Sequence, residues 1–69
     1  MKINGEALKA IRSRSEMTIT QLSVASGIDR TVITRIEKGE RRGTPAQHKA
    51  LARALQVPMQ AIALDGVAA

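Results

Sequence analysis

Sixty-nine residues make one small domain, too short for an elaborate enzyme, and with no Cys and one His the chain lacks disulfides, thiolate metal sites, a Cys nucleophile and a zinc ligand set. It has no Phe, Tyr or Trp, so the core must come from Ile, Leu, Val, Met and Ala, and the aromatic stacking that reads single-stranded nucleic acid is absent. Eleven Lys and Arg against six Asp and Glu give +5 at pH 7, which points to an anionic partner, while apolar runs of four residues at most, as in Ala61 to Leu64, exclude a bilayer span or a signal segment.

Asn4 is a good helix cap, and behind it Ala7, Leu8 and Ile11 recur at helical spacing to about Ser15, with Lys9, Arg12 and Arg14 mostly on the other side. Thr18 caps a short second helix in which Leu22 and Ala25 or Ser26 keep the spacing until Gly27, which suits the positive φ of a tight exit. Asp29 caps a third, with Ile33 and Ile36 facing inward and Arg30, Thr31, Thr34 and Arg35 outward; it ends near Lys38, at Gly39. After the polar loop Glu40-Arg41-Arg42-Gly43, Thr44-Pro45 reads as a cap followed by proline at the first helical position. The fourth helix carries the stripe Ala50, Leu51, Ala54 and Leu55 and stops before Val57-Pro58, where proline opens a last short helix with Met59, Ile62 and Ala63. Met17 and Met59 are expected as core fillers. His48 has no nucleophile or carboxylate placed to work with it and is expected at the surface. The tail from Gly66 to Ala69 is expected to be loose. Nothing alternates with the period of a strand, so the predicted fold is all-α, a compact bundle of five short helices forming one domain over residues 1–69. Chains below roughly 70–80 residues are marginal on packing alone, which makes tight helix packing or an oligomer partner expected.

The informative stretch is MTITQLSVASGIDRTVITRIEKG, residues 17–39. Its two helices are separated by a turn centred on Gly27, and the spacing brings Leu22, Ile28, Ile33 and Ile36 into one small core while the third helix crosses the second steeply. The charge coincides with it. Residues 30–53 hold seven of the basic residues against Glu37 and Glu40, and the remainder is balanced at four of each sign. An α-helix fits the major groove of DNA and reaches base edges from its N-terminal end, where Arg30, Thr31, Thr34 and Arg35 lie. Arginine can bond guanine O6 and N7 together, and a threonine methyl can pack on that of thymine.

These residues resemble the lambda-repressor/Cro-like, or XRE, helix-turn-helix family. The likeness runs from Leu8-Lys9-Ala10-Ile11-Arg12 through Met17-Thr18 and the Gly27 turn to Arg35-Ile36-Glu37-Lys38-Gly39 and Leu51-Ala52-Arg53-Ala54-Leu55-Gln56-Val57. It implies a five-helix DNA-binding domain, with the helix-turn-helix at about 18–38, that acts as a homodimer on a palindromic operator. Arg30, Thr31 and Arg35 match the usual base readers, with Thr34 next to them. Lys38, Arg41 and Arg42 match the loop beside the sugar-phosphate backbone, and Thr18 and Thr44 complete the expected backbone contacts. Arg12 and Glu37 match a structural ion pair between the first and third helices. Departures are Ile19 in place of a Gln that contacts phosphate and braces the recognition helix, Ser23 for Ala, Ser26 at a position usually apolar, and Glu16 for the Gly before the second helix.

The function expected from this reading is a sequence-specific regulator of transcription, a repressor of phage Cro or immunity-repressor type, in the bacterial cytoplasm or nucleoid. No enzyme activity, metal, cofactor or membrane is expected, since the sequence offers neither metal ligands, a catalytic constellation nor a spanning segment, and no small-molecule ligand is expected, since the chain is expected to hold nothing beyond the binding domain. Val57, Met59, Ile62 and Leu64 are the expected dimer surface. The alternative is an antitoxin or transcription cofactor whose main partner is another protein, although only Gly66 to Ala69 is available as a binding arm.

Overall fold

A computed structural model describes residues 3–63, so Leu64 and the expected loose tail 66–69 lie outside the described residues. Among the described residues four α-helices stand in chain order, α1 (Gly5–Arg14), α2 (Ile19–Ser26), α3 (Arg30–Glu37) and α4 (Pro45–Leu55), followed by a 3₁₀ turn at Met59–Ala61.

Each α-helix begins where a short polar side chain can accept from an otherwise orphaned N–H. Asn4 Oδ1 accepts from the N–H of Ala7 at 3.1 Å, and Asp29 Oδ2 from that of Thr31 at 2.9 Å. Thr18 and Gln21 exchange bonds of 3.0 and 2.8 Å, each side chain capping the other's backbone, and Thr44 and Gln47 repeat the arrangement at 3.1 and 2.9 Å. The exits differ in chemistry. Gly27 leaves α2 at φ 74, where glycine is unstrained, but α1 and α4 are left through Glu16 at φ 57 and Gln56 at φ 58.

Leu8, Leu22, Ile33, Leu51 and Ile62 are fully buried, Ile36 nearly so, and they join Ile3, Ile28, Ala52 and Leu55 in one core. Each buried Leu or Ile contributes about 1.5–3 kcal/mol. Met17 and Met59 pack against that core, as expected of fillers. α2 packs on both α3 and α4, and α1 on α3. The α1–α3 approach is close enough that a Cβ at Gly5 would fall 2.6 Å from the carbonyl oxygen of Glu37 and nearer still to that of Ile36. So α3 is held on its apolar side by two helices, while Arg30, Thr31 and Arg35 on the other side are exposed.

Three expectations are corrected. The fifth helix is only a three-residue 3₁₀ turn, after which Ile62 leaves helical geometry (φ −116, ψ 8) and the chain meets the N-terminus. There the N–H of Asn4 donates to the carbonyl of Ile62 at 2.7 Å, and Ile3 forms an isolated antiparallel bridge with Ala63. Second, Ile62 is consumed by the monomer's own core and offers nothing to a partner. Third, His48 is not a surface residue: it is 1% exposed, and its Nε2–H donates to the carbonyl of Met59 at 2.9 Å, tying α4 to the 3₁₀ turn.

Candidate nucleic-acid interface

The turn between α2 and α3 sets the angle at which α3 is presented, and its backbone is pinned by two serines at the positions that depart from the family pattern. Ser23 Oγ donates to the carbonyl of Ile28, and Ser26 Oγ accepts from the N–H of the same residue at 3.3 Å. Both polar groups of a residue whose side chain is buried are thereby satisfied locally. The far end of α3 is fixed by Arg12 and Glu37. Arg12 Nε donates to Glu37 Oε2 at 2.7 Å and its Nη2 to Oε1 at 3.2 Å, with side-chain exposures of 13% and 6%. Arg12 Nη1 also donates to the carbonyl of Met17 at 2.9 Å, holding the connection that passes through Glu16. One guanidinium thus ties α1, the α1–α2 connection and α3 together.

Between these anchors α3 lines an open groove, and Arg30, Thr31, Thr34 and Arg35 all face it. Thr34 is half-buried and the other three are exposed. Lys38 extends the same wall. Thr18, Arg41, Arg42 and Thr44 are exposed but lie outside the groove. The oxygens of Thr18 and Thr44 accept from their capping partners, which leaves each hydroxyl proton available to a further acceptor. Asp29, the acid nearest the tip of α3, is engaged with the helix N-terminus through Thr31.

Three groove residues were absent from the expected site: Ile19, Thr20 and Glu40. Ile19 opens α2, half-buried against the core, and Thr20 follows it with Oγ1 accepting from Arg30 Nη1 at 3.3 Å. The signal for Ile19 and Thr20 was their place in the first turn of α2, which a helix-turn-helix sets beside the first residue of α3. Glu40 brings a carboxylate to the Lys38 end of an otherwise basic wall. Val57 and Met59, expected at a dimer surface, are half-buried and pack on the core. Among the described residues no cluster of His, Cys, Asp or Glu could hold a metal ion, and no helix is long and apolar enough to cross a membrane.

A family model described as a helix-turn-helix domain matches residues 5–64. The chain belongs to the helix-turn-helix domain family. This XRE-like helix-turn-helix domain is 40% identical over 63 residues to RghR, an HTH-type transcriptional repressor of Bacillus subtilis (strain 168), a match covering 90% of this chain and 47% of RghR. It is 43% identical over 58 residues to RghRB, an uncharacterized HTH-type transcriptional regulator of the same organism, across 81% of this chain and 41% of RghRB. The chain therefore spans less than half the length of these curated relatives. Among solved structures, the helix-turn-helix domain is similar to the restriction-modification controller protein C.AhdI from Aeromonas hydrophila. That match has a TM-score of 0.81 at 26% identity and covers 83% of this chain and 86% of the controller protein.

Proposed function

We propose that this chain is the DNA-binding part of a transcriptional regulator and that α3 reads base edges in the major groove of a duplex. The observation that carries the reading is the α3 groove, where two arginines and two threonines stand together on a helix whose opposite face is locked in the core. Arg30 and Arg35 present forked donors suited to guanine, and Thr31 and Thr34 present methyl and hydroxyl groups suited to thymine or adenine. Lys38, Arg41 and Arg42, with the hydroxyl protons of Thr18 and Thr44, supply sequence-independent contacts to phosphates. No metal, cofactor, small-molecule ligand or enzymatic step is needed.

A homodimer on a palindromic operator follows from the same reading, with the two copies of α3 entering major grooves about 34–36 Å apart. Of the four residues expected at the dimer surface, only the half-buried Val57 and Met59 are both described and partly available. Repression is favoured by the similarity to a transcriptional repressor, and action of the Cro or immunity-repressor kind in the cytoplasm or nucleoid is what the XRE resemblance adds to the proposal. The test is selection from a pool of random duplexes at low and near-physiological salt. An enriched inverted repeat with half-sites one turn apart supports the reading, and retention that vanishes with salt without enrichment overturns it.

A further inference from the structure

Arg30 is the first residue of α3 and is exposed, so nothing in its own helix fixes where its guanidinium lies. A side chain of that length left free would sweep across both the groove floor and the neighbouring phosphates. Base reading demands the opposite, because two parallel donors must meet O6 and N7 of one guanine. Ile19, which opens α2 and lines the same groove, has no polar atom in its side chain to offer it. Gln21 does not substitute, since its side-chain oxygen accepts from the N–H of Thr18 in the α2 cap.

The contact that does reach Arg30 comes from the residue between them. Thr20 Oγ1 accepts from Arg30 Nη1 at 3.3 Å, and both residues line the α3 groove. We infer that Thr20 is a positioning residue that holds the Arg30 guanidinium over the groove and so sets the base pair at which this arginine discriminates. The inference rests on the proposed reading of α3 as the base reader. The geometry permits it because only one of the five guanidinium protons goes to Thr20, leaving four, those of Nε and Nη2 among them, to take a base. Thr20 itself touches no base in this scheme. It acts through Arg30, and it biases that side chain away from the phosphates, where its charge would add affinity without selectivity.

The test compares Thr20→Val, which keeps the shape and removes the acceptor, with Thr20→Ser, which retains it. In the free protein, relaxation of the Arg30 Nε–H signal reports the brace without any DNA. The order of that signal is expected to fall in Thr20→Val and to return in Thr20→Ser, with the melting temperature unchanged in both. On duplexes differing at single base pairs, Thr20→Val is expected to lose about two- to tenfold of discrimination at the pair where Arg30→Ala loses its own, the range of one net hydrogen bond at 1.4 kcal/mol per decade. No loss is expected when Thr20→Val is placed in an Arg30→Ala background. An Arg30 signal equally ordered in Thr20→Val and the parent overturns the brace whether or not the protein reads DNA. Loss of Arg30 order with unchanged base preference, in a protein that is otherwise selective, overturns the positioning role alone.

Discussion

Replacing Glu37 with Ala removes the acceptor from a guanidinium that is 13% exposed in its side chain and already committed to α1, the α1–α2 connection and α3. Breaking a buried pair costs about 3–5 kcal/mol, chiefly because the surviving charge stays desolvated. The residual exposure of Arg12 and its remaining bond to the Met17 carbonyl place this pair at the lower end, about 3 kcal/mol. A domain of this length has a total stability of roughly 3–10 kcal/mol, so the loss is a large share of it. At about 4–8 °C per kcal/mol the melting temperature should fall by roughly 12–24 °C, read by circular dichroism at 222 nm. Replacing both partners, as Arg12→Met with Glu37→Leu, should recover most of the loss, because no unpaired charge then remains. Glu37→Ala, studied below its melting temperature, should keep the parent's base preference. A variant melting within two or three degrees of the parent would mean that this pair does not fix the far end of α3.

Glu16→Gly should raise the melting temperature by roughly 2–8 °C, since about 1–2 kcal/mol of left-handed strain at φ 57 outweighs the added chain entropy of glycine; a lower value would mean that the Glu16 side chain contributes more than its backbone costs. Gly5→Ala, which helix propensity alone would count as stabilising, should instead destabilise by about 1–3 kcal/mol or more in urea unfolding, because the new Cβ meets backbone carbonyls that cannot step aside. Arg41→Ala and Arg42→Ala should each flatten the log–log salt dependence of duplex binding by about 0.9 without altering which sequence is preferred. Unchanged slopes would remove the loop from the interface.

Much of the fold is legible from single residues whose chemistry admits one role. Asn4, Thr18, Asp29 and Thr44 mark all four helix starts because a side-chain oxygen there replaces a missing backbone acceptor, and Gly27 marks the exit of α2 because of its φ. The spacing of Leu22, Ile28, Ile33 and Ile36 around that glycine places the core of the helix-turn-helix and leaves the Arg30 face outward. What escapes is settled by contacts between distant segments. Met59 to Ala63 has the pattern of a short helix, yet only Met59–Ala61 is helical, and Ile62 and Ala63 are engaged instead by Asn4 and Ile3, far away in sequence. His48 reads as polar and therefore outside, although it shares the helical face of Leu51, Ala52 and Leu55; that spacing was the available signal. Ser23 and Ser26 look like flaws in an apolar pattern until the turn brings the backbone of Ile28 to them. In the site, Arg30, Thr31, Thr34 and Arg35 are legible from helix period alone, whereas Thr20 joins them only through the crossing of α2 and α3.

Base reading by α3 through Arg30 and Arg35 is tested by the affinity of the parent, Arg30→Ala and Arg35→Ala for every single-base-pair variant of the selected duplex. Each substitution is expected to abolish preference at its own position, by about 1–3 kcal/mol, while preferences elsewhere persist. If both variants rank all the duplexes as the parent does, α3 is not the reader.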